Sequence, residues 1–319
     1  MKFKSLVKSM TKVGLGLVLS GTILVSCNDD DDNQMEIPSN QTIASIVTST
    51  PAFSTLSQAV SKAGLGTTLS GNGQFTVFAP NNAAFEASGI TSATLASLTA
   101  EQTKGILLYH TLASKVASTA VPAGPNAKVT TVQGDPIYVT KDARGVFVNG
   151  WKVNQADIMA SNGIIHSIER VLMPASGNLV ETAQGNENLS YLVAAVVRAS
   201  KGNTNVANIL ASTEGLTVFA PTNQAFIKAG FPTIASIQAA DPAVLTSILT
   251  YHVVAARAFS SDLSNNQSLA TVQGGNLLVS IGNQITIKGK ANTSASNVVA
   301  PNVLATNGVV HVIDQVLLP

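Results

Sequence analysis

The four histidines are the side chains best suited to acid–base chemistry or metal binding, and all of them lie in repeated motifs. Two follow a tyrosine directly, and the other two lie four residues after the asparagine of an Asn-Gly pair. A zinc site needs three or four ligands, whereas each half of the chain offers only two histidines. We therefore interpret them as structural groups that are hydrogen-bonded inside the fold, and we expect no metal and no cofactor. The motif residues are Tyr109, His110 and His166 in the first half and Tyr251, His252 and His311 in the second.

The sequence contains no recognisable nucleophile arrangement. It has no G-x-S-x-G motif, and its single cysteine, Cys27, lies near the N-terminus. The glycine-rich stretch Gly64–Gly73 lacks the lysine of a phosphate-binding loop, so we predict a flexible loop there. The net charge of +1 provides no basic surface for nucleic acid. These features predict a protein that is not an enzyme and does not bind nucleic acid.

Trp151 is the one evident residue for stacking against a sugar ring. Carbohydrate platforms use exposed aromatic rings, and aromatic residues are only 5% of the chain. The alternative interpretation is that Trp151 covers the edge of a sheet. Trp151 is thus a candidate for glycan binding, and the structural role is the competing prediction.

The N-terminus has the features of an export leader. Four lysines precede the uncharged apolar run Val13–Val25, which is too short for a membrane-spanning helix of about 20 residues. The segment Leu24–Cys27 (LVSC) resembles the bacterial lipobox, in which the cysteine is lipidated. We predict a signal peptide over residues 1–26 and a lipid anchor on Cys27, which is sufficient without a transmembrane helix.

An acidic run follows the cysteine directly and consists of Asp29, Asp30, Asp31 and Asp32. One interpretation is a solvated spacer, since residues 27–42 cannot bury a core and are predicted to be a disordered tether. The other is an address, because the run resembles the surface-export signal of lipoproteins in the Bacteroidetes. We expect an outer-membrane lipoprotein that faces outward, with the periplasmic side as the alternative.

The rest of the chain is a tandem duplication. Thr76–Phe85 (TVFAPNNAAF) returns as Thr217–Phe226 (TVFAPTNQAF), and Asn162–Pro174 returns as Asn307–Pro319 in the same order. A period this long corresponds to a whole domain, because solenoid repeats are roughly 20 to 50 residues long. We predict two domains, over residues 43–174 and 178–319.

Each repeat is predicted to be α+β. The TVFAP run predicts a buried strand, with Phe78, Phe85, Phe219 and Phe226 in the core, and capping residues follow it. Thr99 with Gln102 has capping-box spacing, and Asp241 before Pro242 marks another helix start. Asn149-Gly150 predicts a hairpin, Gly282-Asn283 predicts the same hairpin in the second copy, and a final strand follows each later Asn-Gly. Helices first and hairpins last favour α+β.

These motifs in this order resemble the fasciclin domain, a family of extracellular adhesion modules. Its first motif is similar to Thr76–Phe85 and Thr217–Phe226, and its central Tyr-His to Tyr109-His110 and Tyr251-His252. Its last motif is similar to Gly163–Leu172 and Gly308–Leu317, which include His166 and His311. The resemblance implies a wedge-shaped β-sandwich with packed helices in each repeat.

The resemblance also implies adhesion, with a region around the Tyr-His pair as a binding candidate. We predict a non-catalytic, lipid-anchored surface protein whose partner is an extracellular protein or polysaccharide. The alternatives are a surface protein that captures glycans and an envelope hydrolase.

Overall fold

The computed structural model describes residues 40–319; Cys27, the acidic run and the leader lie outside the described residues. The helices of the first repeat are α1 Ile43–Ser49, α2 Ser54–Lys62, α3 Gly66–Ser70, α4 Asn82–Ala87, α5 Ser92–Ser97 and α6 Ala100–Tyr109. Those of the second repeat are α7 Leu179–Gln184, α8 Ser190–Ala199, α9 Val206–Ser212, α10 Asn223–Lys228, α11 Ile234–Ala239 and α12 Pro242–Tyr251. No helix in this range is both long and apolar enough to cross a membrane.

The strands occupy equivalent places in the two repeats. The first repeat contains β1 Phe75–Pro80, β2 Thr111–Leu112, β3 Gly124–Thr130, β4 Pro136–Asp142, β5 Gly145–Val148, β6 Trp151–Ala160 and β7 Gly163–Ile168. The second contains β8 Leu216–Pro221, β9 Val253–Val254, β10 Ser268–Ala270, β11 Asn276–Ile281, β12 Ile285–Lys288, β13 Ser296–Ala305 and β14 Gly308–Ile313. Short 3₁₀ turns lie at Pro51–Phe53, Ser118–Ala120, Glu187–Leu189 and Ser260–Asp262.

The helix starts agree with the capping signals in the sequence. Thr99 and Gln102 form a reciprocal capping box at α6, and Asp241 caps α12 with Pro242 at its first position. Asn81 and Thr222 accept hydrogen bonds from the third residue beyond them and so begin α4 and α10. The predicted strand, stop and helix start within the repeated motif are confirmed.

Each repeat is built on one sheet, whose order in the first is β2-β1-β7-β6-β5-β4-β3. β1 and β7 are parallel, and the other neighbours are antiparallel. β6 changes register between Val153 and Ile158, and it joins the half that contains β7 to the half that contains β5. Such irregularities bend a strand and increase its twist. The bend forms a wedge, and the two sheet halves pack around one apolar cluster that includes Phe78, Val139 and Ile168.

The TVFAP strand is apolar after its first residue because both of its faces are buried. Side chains alternate along a strand, so Val77 and Ala79 join the cluster beneath the helices while Phe78 joins the cluster between the sheet halves. In the second repeat, Val218 joins the cluster beneath the helices and Phe219 joins the cluster between the sheet halves. The predicted core positions of Phe78, Phe85, Phe219 and Phe226 are confirmed, with all four buried.

The Asn-Gly pair before β7 ties the first helix of the repeat to the sheet. Asn162 Oδ1 accepts a hydrogen bond from the Ile43 amide at 2.9 Å, and its Nδ2 donates to the carbonyls of Leu69 and Gly71. A Cβ at Gly163 would lie 2.1 Å from the Phe75 carbonyl oxygen, so only glycine fits. Asn307 makes the equivalent bonds to Leu179, Leu210 and Thr213, and a Cβ at Gly308 would lie 2.5 Å from the Leu216 carbonyl oxygen.

Two local predictions were wrong. Gly64–Gly73 is not simply a flexible loop, because α3 forms within it and buries Leu65 and Leu69 against the helical core. The hairpin containing Gly282 does not correspond to the Asn149-Gly150 turn. It joins β11 to β12, which are the counterparts of β4 and β5, and residues 289–295 replace the Asn-Gly turn before β13. Local turn signals predicted a hairpin but could not indicate which pair of strands it joins.

Candidate functional site

The two repeats meet across a well-packed interface. The guanidinium of Arg257 lies 4.2 Å from the centre of the Tyr138 ring, and Phe259 packs against the same ring at 5.9 Å. Tyr138 is 8% exposed and Phe259 is fully buried. Burial of this kind removes the interface from water and holds the repeats in one arrangement.

Hydrogen bonds surround this apolar contact. Asn126 Nδ2 donates to the Arg257 carbonyl at 2.7 Å, and Thr140 Oγ1 donates to Asp262 Oδ1 at 2.9 Å. Arg144 also donates to the carbonyl of Ser261. The segment 257–262 of the second repeat therefore docks on β3, on β4 and on the turn between β4 and β5 of the first.

A cleft of about 560 Å³ lies beside the interface and has walls from both repeats. The first repeat contributes Trp151, Arg170 and Met173, and the second contributes residues 299–304. Met173 is 52% exposed and Val299 is 55% exposed, so both side chains are accessible to solvent in the cleft. The cleft therefore presents accessible apolar surface from both repeats.

The Asn149-Gly150 turn places Trp151 in this cleft. Gly150 has a φ of 80°, and a Cβ there would lie 2.6 Å from the amide of Asn302 in the second repeat. Asn149 is buried; its Nδ2 donates to the Tyr109 hydroxyl at 3.0 Å, and its Oδ1 accepts from the Tyr138 amide. Trp151 is thus held by a rigid turn that permits close approach of the second repeat.

Trp151 and Arg170 form a pair on the cleft wall. The Arg170 guanidinium lies 5.0 Å from the centre of the indole ring, within the range of a cation–π contact. Trp151 is half-buried, so it neither projects freely nor lies within the core. The pair presents an aromatic ring and a positive charge to the same space.

The tyrosine and histidine of the central motif are buried and hydrogen-bonded. Leu172 donates its amide hydrogen to His110 Nε2 at 2.8 Å, so the proton of the neutral ring is on Nδ1, which donates to the Ile106 carbonyl. His252 makes the same pair of contacts with Leu317 and Ile248. Burial lowers the pKa of His110 and of His252 to about 4.

The tyrosine hydroxyls donate hydrogen bonds to the first residue of a neighbouring strand. Tyr109 donates its hydroxyl to the Pro136 carbonyl at 3.0 Å, and burial raises the pKa of this hydroxyl. Tyr251 donates to the Asn276 carbonyl at 2.7 Å and accepts from the Lys290 amide at 2.9 Å. The central motif of each repeat therefore connects its last helix before the hairpins to the sheet.

The second pair of histidines adopts the other neutral tautomer. His166 Nδ1 accepts from the Asp157 amide at 3.1 Å, so Nε2 carries the proton and donates to the Val116 carbonyl. His311 uses Asn302 and Ala258 in the same way, and burial lowers its pKa to about 4. Their rings stack on Phe78 and Phe219. All four imidazoles use both nitrogens within the protein and present no free nitrogen to a metal or substrate.

The structure brings together only part of the candidate residues named from the sequence. Trp151 lies in the cleft, while the four histidines and two tyrosines lie inside the repeats. Within residues 40–319, no group of three or more His, Cys, Asp or Glu side chains is arranged to hold a metal. Sequence reasoning missed Arg170, Met173 and Val299, because only the folded arrangement places them beside Trp151.

The comparisons with known proteins agree with this architecture. The fasciclin domain model matches residues 51–174 and 188–319, and the chain belongs to the fasciclin domain family. Helices α1 and α7 precede these two ranges. The protein is thus a tandem pair of α+β fasciclin domains.

Several relatives share this sequence pattern. The transforming growth factor-beta-induced protein ig-h3 of Sus scrofa is 31% identical over 240 residues, covering 74% of this chain and 33% of that protein. Protein sll1483 of Synechocystis is 39% identical over 145 residues, covering 44% of this chain and 73% of that protein. Thus the chain spans about a third of the length of the mammalian relative.

One solved structure is also similar to this chain. It is a FAS1 domain pair from the insect cell adhesion molecule fasciclin I, with 20% sequence identity and a TM-score of 0.40. The match covers 83% of this chain and 92% of that chain.

Proposed function

We propose that this protein is a non-catalytic adhesion protein that binds an extracellular protein through the cleft between its two repeats. In this proposal, a lipid on Cys27 anchors the chain in the outer membrane. Asp29, Asp30, Asp31 and Asp32 direct it to the outer face, and residues 27–42 act as the tether. The signal peptide is residues 1–26.

The composition of the cleft carries the proposal. Trp, Arg and Met are enriched in protein interfaces, and Trp and Arg recur among the residues that contribute most to affinity. Trp151, Arg170 and Met173 supply these three types within one cleft. Since the second repeat adds Val299 to the opposite wall, a partner seated there would bury apolar surface from both repeats.

A protein partner fits the cleft better than a polysaccharide. A sugar ring would need a face of Trp151 as a stacking platform, and Arg170 already covers one face of that ring. Polysaccharide binding remains the alternative outcome of the binding test. The hydrolase alternative gains no support, because the histidine nitrogens are all used in internal hydrogen bonds.

The binding test uses cells that display the full-length protein. Adhesion to immobilised extracellular protein extract and to polysaccharide arrays is compared for wild type, Trp151→Ala and Val244→Ala. Val244 is 53% exposed and lies on α12, outside the cleft, so it is the matched control. We expect Trp151→Ala to reduce adhesion to protein by roughly tenfold or more. Because Trp151 also packs against the apolar cluster between the sheet halves, its melting temperature is measured to show that the variant is folded at the assay temperature. Equal adhesion by all three would exclude the cleft as the contact site.

Localisation is tested separately by protease shaving of intact cells. A variant with all four aspartates 29–32 changed to Ala is compared with wild type, with a periplasmic marker as control. Loss of the wild-type signal with protection of the variant is expected for outward display directed by the acidic run. Protection of both would place the protein inside the outer membrane and would contradict adhesion to other cells.

A further inference from the structure

The second repeat contains an apolar cavity of about 130 Å³ beneath its first helices. Leu192 and Val196 of α8, Leu249 of α12, and Val218 and Val310 of the sheet line its interior. The lining reaches the surface at Val197 and Gln184. An apolar cavity of about 150 Å³ stays dry and binds a molecule the size of benzene.

The two repeats can be matched residue by residue, which provides an internal reference for this cavity. The amides of Ile43 and Leu179 donate to Asn162 and Asn307, respectively, at the same distance of 2.9 Å. Counting along α1 and α7 from these residues pairs Val47 with Ala183.

The first repeat fills most of the equivalent space. Val47, which is 2% exposed, replaces Ala183, and Ile165 replaces Val310 at the same register position of the parallel strand pair. The space left in the first repeat is about 20 Å³. Smaller side chains at these two positions contribute to the larger cavity in the second repeat.

The entrance to the cavity is also more apolar than the equivalent surface of the first repeat. Positions occupied by Ser57 and Ser61 on α2 are occupied by Val193 and Val197 on α8. Val197 is 53% exposed, so its side chain gains little from packing within the protein. A ligand in the entrance would remove this apolar surface from water.

The lining has no charge to offer a ligand. Among the described lining residues none is ionised at neutral pH, and the one imidazole, His252, has both nitrogens bonded to Ile248 and Leu317. Ligand pockets of this composition select by shape and hydrophobicity. An ionic ligand would lose its hydration without compensation.

We infer that the second repeat binds a small neutral hydrocarbon group, about the size of an aromatic ring, in this cavity. This site is separate from the cleft and does not depend on the adhesion proposal. The first repeat lacks the site, because Val47 and Ile165 occupy the space.

Benzene is the probe for the first experiment. The protein is residues 27–319 with Cys27→Ser, which carries no lipid and needs no detergent. Methyl carbon–proton NMR is recorded during titration. We expect saturable shifts for Val218, Leu249 and Val310, while the first-repeat counterparts such as Val77 and Leu107 do not shift. Absence of saturable shifts, or equal shifts in both repeats, would overturn the inference.

Filling the cavity tests whether these shifts report binding inside it. Ala183→Val places the side chain found at Val47 of the first repeat into the cavity. If that variant folds poorly, Val310→Ile fills the cavity from the sheet with the side chain found at Ile165. Either variant should weaken benzene binding by roughly tenfold or more, since small volume changes in apolar pockets have effects of this size. Ala255→Val, at an exposed position outside the cavity, is the control. Unchanged affinity in both filled variants would overturn the assignment.

Discussion

The two repeats share their internal hydrogen bonds and differ in the side chains they direct toward each other and toward solvent. His110 and His252 make the same two bonds, and so do Asn162 and Asn307. In contrast, Arg257 docks on the first repeat, whereas its counterpart Lys115 is exposed. Buried polar groups must be paired, so their partners are fixed by the fold. Surface positions carry no such requirement, and there the copies have acquired different contacts.

The difference between the repeats also produces the candidate sites. The tight turn at Gly150 allows Asn302 to approach, and this approach forms one wall of the cleft. The second repeat has residues 289–295 in the equivalent connection. Its own distinguishing feature is the larger cavity under α8. A duplicated fold therefore provides two different candidate binding sites.

Acid is expected to have the largest effect, and it should act on both repeats. His110, His252 and His311 are buried and neutral with a pKa of about 4, while the unfolded chain binds these protons near pH 6.5. Between these pH values the unfolded state binds more protons than the folded state. The contribution of each neutral imidazole to the free energy of unfolding is therefore complete above pH 6.5 and is lost as the pH falls toward 4. The loss is on the order of 3 kcal/mol per imidazole. Urea melts at pH 7.5, 6.0 and 5.0 measure it; a constant midpoint would contradict the buried neutral state.

His110→Ala and His252→Ala test whether the shared core is equally important in each copy. Each change leaves a cavity and removes the partners of one buried N–H and one carbonyl, so we expect a loss of about 3 kcal/mol in either variant. Thermal melting followed by circular dichroism gives the loss. Adhesion should persist wherever the variant remains folded. A variant that melts like wild type but no longer adheres would show that the histidine is a binding residue.

Arg257→Ala and Lys115→Ala form a matched pair that isolates the interface. Arg257 donates to the carbonyls of Gly308 and Thr306 and stacks on Tyr138, so its removal should cost about 2 kcal/mol. Lys115→Ala should change the free energy of unfolding by less than about 0.5 kcal/mol.

The fluorescence of Trp151, in the first repeat, follows that repeat, while circular dichroism follows both. In Arg257→Ala the two signals are expected to separate into two transitions as the repeats uncouple. Coincident transitions with an unchanged midpoint would mean that Arg257 contributes nothing to the coupling between the repeats.

Asp157→Asn should have the smallest effect, because it converts the first repeat to the arrangement of the second. Asp157 and Asn302 both have a φ near 60° and both bond the serine that begins a 3₁₀ turn, Ser118 or Ser260. At pH 7 the change should cost less than about 1 kcal/mol.

Acid should distinguish the Asp157→Asn variant from wild type. Burial alone would raise the pKa of Asp157, but the hydrogen bonds from Ser118 outweigh it and hold the pKa below its usual value. The contribution of this carboxylate is lost as pH falls through that lowered pKa, and the asparagine variant lacks this loss. Urea midpoints at pH 7 test the equivalence of the two sites, and the carboxyl signal of Asp157 in a pH titration followed by NMR tests the lowered pKa. A large destabilisation at pH 7 would show that the two sites are not equivalent.

Local signals predicted much of the fold. Capping chemistry placed the starts of α4, α6, α10 and α12, because a cap depends on residues within one helical turn. The apolar run at Phe78 predicted a buried strand, and the Asn149-Gly150 pair predicted the turn between β5 and β6. Little of the candidate site was predictable, because Trp151 was the one cleft residue that its type alone singled out.

The sequence by itself determined the duplication, the α+β class, the helix starts and the structural role of the histidines. Each of these depends on residue type and short-range spacing. Only the tertiary structure decided which strand pairs the second hairpin joins and which residues meet across the repeats. Asn126 and Arg257 are 131 residues apart in the chain, and no local pattern links them. The shapes of the cleft and the cavity depend on the volumes of side chains that come from distant segments of the chain and on how closely these segments approach each other. Such shapes are fixed only when the whole chain packs.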